Sequence, residues 1–364
     1  MFNTKVEDVA ARNEGGTFYL ENATVSLSQN KIIKTMSEKI GGALALYQSS
    51  SIRSKKASIV MNATAVNNGG FAATFCKKCI IEGFHVVNAS SKTGAGIFAE
   101  FSNTIVVRVS FRNIFASGNG GTFYALSSSL FISNVQSSHS FSLNGGSFYA
   151  DKSTADIHYV TIEKSEAQLN GGLFFIERGN INVTGLNSIS SKSLNGGAAF
   201  LTEKSFLLLT DSKLESSHAK DKGGLVYLTE NSILKCISCN CTNMTAYEKG
   251  GGFYADKSAE MYLQKSHFSN GILTASSFRQ GGGVYLGTNT NIYASDSVIS
   301  NSTADYGACI FFDNTKHYVE GISCVHSFAI ESGALQVTGG TVDISKMNLV
   351  LSKSLKVGGA IYVG

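Results

Sequence analysis

Gly145-Gly146-Ser147-Phe148-Tyr149-Ala150-Asp151 is the stretch that decides how this chain folds, because near-copies of it flank it on both sides. Gly120-Gly121-Thr122-Phe123-Tyr124-Ala125 lies 25 residues earlier, and Gly171-Gly172-Leu173-Phe174-Phe175-Ile176 lies 26 residues later. Followed outward, the motif begins at 15, 41, 69, 94, 120, 145, 171, 196, 223, 250, 281, 307, 333 and 358. A period this regular marks stacked structural repeats. The longest interval, 31 residues between Gly250 and Gly281, predicts a surface insertion near Ser269–Arg279.

Between copies the sequence alternates over short runs, such as Ser129-Leu130-Phe131-Ile132-Ser133 and Ala155-Asp156-Ile157-His158-Tyr159-Val160. These are strand signals bounded by Ser, Asn, Asp and Gly, and no helical apolar period is sustained. The unit is too short for a propeller blade and lacks the leucine and asparagine spacing of leucine-rich repeats. What remains is all-β: a right-handed parallel β-helix of about fourteen coils, roughly 65 Å long at 4.8 Å per coil. The chain has 364 residues with 38 Gly and no Pro, which fits a backbone whose N–H groups are nearly all needed in ladders.

Column by column, the fourth motif position is apolar in every copy except Gln336, so it is expected to face the core. The fifth is Tyr or Phe in eleven copies, among them Tyr124, Tyr149, Phe175, Phe200, Tyr227, Tyr254 and Tyr285, and alternation turns it outward. Stacked rings reinforce a sheet, and a long row of exposed rings would also be an interaction face for a protein or glycan. Asn119, Asn144, Asn170 and Asn195 precede the motif in successive coils and are expected to stack their amides beside glycines at positive φ.

Other function classes leave weaker traces. The charge of +4 is spread thinly, without the basic run that nucleic acid calls for. No apolar run is long enough to cross a bilayer as a helix, and no signal peptide is visible. Among the acidic residues at the seventh position, Asp151 and Glu177 sit in adjacent coils, a weak candidate for a Ca²⁺ or proton-sharing pair. The seven histidines share no column, and neither metal nor cofactor is expected. Cys76-x-x-Cys79 and Cys236-x-x-Cys239-x-Cys241 invite a zinc reading, but the clusters are six coils apart; small core residues or local disulfides are the better reading. Asn22, Asn62, Asn88, Asn182, Asn240, Asn243 and Asn301 head N-x-S/T sequons, which permit N-glycosylation.

Gly358-Gly359-Ala360-Ile361-Tyr362, together with Phe131-Ile132-Ser133-Asn134, resembles the GGA-I and F-x-x-N repeats of chlamydial polymorphic outer-membrane proteins. The repeat is also similar to those of large ciliate putative membrane proteins with a pectin-lyase-like β-helix. The resemblance implies a non-enzymatic surface or secreted module, the adhesin-like or structural repeat region of a larger membrane-anchored protein. The alternative it carries is a polysaccharide-binding or polysaccharide-degrading protein, but the N-T-D, Asp-Asp, G-H-G and R-I-K motifs of polygalacturonases do not occur. Residues 1–14 are expected as an N-terminal cap and 15–364 as the repeat domain. The C-terminus stops within a motif, so a longer protein and end-to-end self-association are expected.

Overall fold

The computed structural model describes residues 3–313 and 315–364. They form an all-β solenoid, a parallel β-helix of about fourteen turns with a spacing near 26 residues. The chain divides into two compact units. The first runs through Gln168 and takes in Leu173–Phe175 and Gly179–Asn182; the second holds Leu169–Gly172, Ile176–Arg178 and Val183–Gly364.

Three strands make a coil. In the first unit one coil consists of Phe123–Leu126, Ser129–Ser133 and Gln136–Asn144. Its motif strand pairs in parallel with the next, Phe123 opposite Phe148 and Tyr124 opposite Tyr149, and its second strand sets Ser129 opposite Thr154. In the second unit a coil consists of Phe253–Ala255, Glu260–Gln264 and His267–Leu273, again in parallel register with its neighbours.

The motif glycines have two different tasks. The first glycine lies at positive φ, 67° at Gly120 and 63° at Gly145, so it makes the corner. The second permits close approach between coils: a Cβ on Gly121 would sit 2.1 Å from the carbonyl oxygen of Gly146. The other corners are held by a serine relay. Cys76 N–H donates to Ser102 Oγ, Ser102 N–H to Ser128 Oγ and Ser128 N–H to Ser153 Oγ, at 3.0–3.2 Å. The second unit repeats it with Cys239 N–H on Ser266 Oγ and Ser266 N–H on Ser297 Oγ. Buried corner N–H groups are thereby satisfied without water.

The fourth-position column forms the core as expected. Phe148 and Phe174 are each 2% exposed, with ring centroids 5.9 Å apart. The polar exception disappears: Leu335, not Gln336, pairs with Ile310, and Gln336 pairs with Phe311. The turn there is one residue shorter, so the motif begins one residue earlier than equal spacing suggests, and the column is apolar in all fourteen copies; it is buried from Leu44 to Leu335, with Phe18 half-buried and Ile361 exposed.

The insertion expected near Ser269–Arg279 begins only after Leu273, because Ser269–Leu273 belongs to the strand His267–Leu273; from there the chain takes a longer path to Gly281. Arg279 anchors it through a nearly buried ion pair with Asp305 at 2.7 Å. Of the expected cap, Met1 and Phe2 lie outside the described residues; Lys5–Ala11 is a solenoid strand in parallel register with Lys31–Ser37.

Candidate functional site

The outward ring column is continuous within each unit. In the first unit Tyr19, Tyr47, Phe75, Phe98, Tyr124, Tyr149 and Phe175 stack in turn, with centroids 5.0–5.9 Å apart. In the second, Phe200, Tyr227, Tyr254, Tyr285 and Phe311 do the same at 4.5–5.4 Å. Each ring covers the faces of its neighbours. Tyr149 and Phe175 retain 8% exposure, Tyr254 7% and Tyr285 2%. The rings point away from the core, and their exposure varies along the column: Tyr19 is 51% exposed, and Tyr124, Phe200 and Tyr227 are half-buried. Two members, Tyr47 and Phe75, were missed because they occupy the seventh position, where the fifth is Ala45 or Ala73. Residues two apart share a strand face, so the ring is supplied from one step further along.

In the second unit charges close over this column. Lys222 Nζ and Lys249 Nζ lie 5.6 and 4.4 Å from the ring centres of Tyr254 and Tyr285. Lys249 Nζ donates to Tyr285 Oη at 3.0 Å, and Tyr285 donates to Asp313. Burial, then the bond to Asp313, raises the Tyr285 hydroxyl far above its ordinary pKa; burial raises Tyr254 likewise.

The acidic pair falls on both sides of the unit division. Asp151 pairs in register with Leu126 in the first unit, whereas Glu177 is in the second, 2.6 Å from Arg178. Asp256 accepts the N–H groups of Lys257 and Thr288 at 2.8 and 2.7 Å. Column carboxylates are thus engaged by neighbouring hydroxyl, amide and guanidinium groups. No group of three or more His, Cys, Asp or Glu among the described residues is arranged to hold a metal ion.

Cys76 is bonded to Cys79, and Cys309 to Cys324. Cys236, Cys239 and Cys241 are buried thiols. All seven sequon asparagines are exposed. Several belong to a second amide ladder in the third strand: Asn113 donates to Asn88 and Asn88 to Asn62, both at 3.0 Å, and Asn270 donates to Asn243 at 2.9 Å. These asparagines lie at φ 57–60°, where Asn is well tolerated. Two of the sequon hydroxyls also meet, Thr64 lying 3.2 Å from Ser90. The Asn-x-Thr spacing at these positions therefore has a structural cause. The expected motif ladder is present too: Asn144 donates to Asn119 at 3.0 Å, and Asn195 to Asn170 at 3.2 Å.

A site that the column reading did not anticipate lies on the second strand of the later coils. Tyr262 and Tyr293 stack at 4.9 Å, half-buried, and line a groove of about 240 Å³ together with Lys235, Gln264 and Glu320; half-buried Tyr318 lies tilted against Tyr293 at 5.3 Å. Tyr262 donates to Glu260 at 2.7 Å, and Tyr318 to Glu320 at 3.0 Å. The bond to Glu260, followed by burial, pushes the Tyr262 hydroxyl up to about 12. A β-bulge shapes the groove. The strand slips register between Tyr293 and Ser297, and Gly321, at φ 71°, lies so close to Ala294 that its Cβ would sit 1.9 Å from that carbonyl oxygen. The insertion before Gly281 spaces Tyr262 and Tyr293 by 31 residues, which hid the column; the flanking Glu260-x-Tyr262 and Tyr318-x-Glu320 pairs were the available signal.

No family model matches the chain, and neither the curated proteins nor the solved structures contain a match to it. No helix among the described residues is long and apolar enough to cross a membrane.

Proposed function

We propose that this chain is a non-enzymatic surface or secreted β-helix module, the adhesin-like or structural repeat region of a larger membrane-anchored protein. The observation that carries this reading is the pair of cystines, Cys76–Cys79 and Cys309–Cys324, since such bonds persist in oxidising compartments outside the cytosol. The exposure of all seven sequon asparagines agrees with passage through a secretory route. The polar columns support a structural role: amides, hydroxyls and carboxylates bond along the axis and to the backbone. The test is labelling of intact cells with a membrane-impermeant amine reagent. Modification of this protein without lysis is the expected result; labelling only after lysis refutes surface display.

A second reading, binding of a polymeric glycan, is favoured by the groove lined by Tyr262 and Tyr293. Ring edges flanked by carboxylate, amide and ammonium groups suit a chain of sugar rings with hydroxyls on both edges. Titration with soluble plant, bacterial and animal polysaccharides tests it: Tyr293→Ala is expected to lower affinity at least tenfold in any glycan that binds, and an unchanged affinity refutes this groove as the site.

A further inference from the structure

We infer that Cys236 and Cys239 form a third disulfide, which leaves Cys241 as the chain's one free thiol.

These residues span one corner of a coil. Cys236 lies on the strand Ile233–Ile237, Ser238 turns the chain at φ 54°, and Cys239 re-enters the core just before Asn240 begins the next strand. The turn directs both sulfurs inward: Cys236 and Cys239 are 1% and 2% exposed, and Cys239 Sγ lies 3.4 Å from Leu209 O and 3.8 Å from Ile237 O. The first unit shows the same spacing across another corner already closed, with Cys76 and Cys79 bonded at a Cα separation of 5.5 Å.

Both corners use the serine relay, and this separates the roles of the two sulfurs. Cys239 occupies a relay position. Its own N–H donates to Ser266 Oγ, and the backbone of Ser212 reaches its sulfur as other coils reach a serine oxygen. The hydrogen bond from Cys236, with this backbone contact and Ser266, favours the thiolate at Cys239 despite burial. Cys236 has the opposite bias, its pKa raised by the interaction with Cys239 and by burial, so that it stays a thiol. One sulfur is therefore the nucleophile and the other its resolving partner. Cys241 lies two residues beyond, fully buried, and occupies the apolar column between Leu214 and Phe268.

The step needs an external disulfide of the glutathione type. The Cys239 thiolate attacks one sulfur of that disulfide and expels a thiolate, giving a mixed disulfide. Cys236 then loses its proton and attacks the Cys239 sulfur, expelling the second thiolate. Two protein thiols lose two electrons and two protons overall, and the external disulfide is reduced to two thiols. Both residues are buried once the coil is closed, so the bond forms as the coil folds. Its occurrence in the cell rests on the extracellular reading above; the chemistry of the pair does not.

The test refolds the full chain from denaturant in a mixture of oxidised and reduced glutathione, then alkylates it under denaturing conditions and digests it with trypsin. Cys236, Cys239 and Cys241 fall in one peptide, residues 236–249. That peptide is expected to carry a single alkyl group, on Cys241, and an internal bond between the other two. Cys241→Ala is expected to keep the internal bond and remove the last alkylation, whereas Cys236→Ala is expected to raise the peptide's alkylation to two. Zinc in the refolding buffer is expected to change none of this. Three alkyl groups on the wild-type peptide, a bond from Cys239 to Cys241, or protection that appears only with zinc would each overturn the inference. Refolding in which all seven cysteines stay reduced overturns it too. Formation of the bond in vitro in a protein that proves cytosolic would leave this inference standing and remove the extracellular reading.

Discussion

Tyr19 and Tyr47 stack with their rings 5.2 Å apart although the strand register places Tyr19 opposite Ala45. The rings meet because Tyr47 lies two residues beyond Ala45 on the same strand face. Tyr293 reaches Tyr318 the same way, its register partner being Glu320. What the solenoid maintains is thus the ring column rather than the identity of a motif position.

Moving the ring should therefore be tolerated better than removing it. Tyr47→Ala is expected to cost about 1–3 kcal/mol, since the ring loses both Tyr19 and Phe75. Ala45→Tyr combined with Tyr47→Ala is expected to restore most of that. Denaturant midpoints of the three proteins check it; a double variant no better than Tyr47→Ala would contradict the column account.

Phe148 and Phe174 are buried neighbours in successive coils of one unit. Replacement of either by Ala is expected to cost about 3–5 kcal/mol, through lost burial and a residual cavity. Because the cavities adjoin, the double variant is expected to depart from additivity by about 0.5–3 kcal/mol. A double-mutant cycle in denaturant measures the coupling, and strict additivity would contradict direct packing.

Gly121 and Gly359 stand at the same motif position in different surroundings. A Cβ at Gly121 would lie 2.1 Å from Gly146 O, while one at Gly359 meets nothing within 4 Å. Gly121→Ala is expected to be destabilising and Gly359→Ala close to neutral. Equal effects on the thermal midpoint would show that close approach is not what position two requires.

Most of the fold was legible because a solenoid repeats its physics. Gly, an aromatic or aliphatic residue, and Gly again at fixed spacing report one corner and one core column in every coil. Legibility failed where a coil changed length: the short turn before Leu335 made Gln336 look like a polar core residue, and the insertion before Gly281 hid the Tyr262–Tyr293 column. It failed again on accessibility. Alternation assigns Tyr149 to the outer face, but only the three-dimensional stack shows that its neighbours cover it. The cysteine spacings left cystine, thiol and metal open, since pairing depends on where each sulfur points at its corner.

Alkaline pH should weaken the protein through its tyrosines. Tyr262 is raised from 10.0 to about 12 by its bond to Glu260 and by burial, and burial raises Tyr254 and Tyr285 as well. Above about pH 10 the unfolded chain has lost tyrosine protons that the folded chain retains, so stability falls as pH rises. Below that pH these groups contribute their full stabilisation. Denaturant midpoints are expected to decline from about pH 10 upward, with a shallower decline in Tyr285→Phe. An equal slope in that variant would contradict the assignment.

Analysis of the protein isolated from its own source tests the central claim most directly, by mapping cystines and N-glycans together under non-reducing conditions. The extracellular account predicts Cys76 linked to Cys79, Cys309 linked to Cys324, and glycan on at least one of the seven exposed sequon asparagines. Seven alkylatable cysteines together with seven unmodified sequons would contradict it.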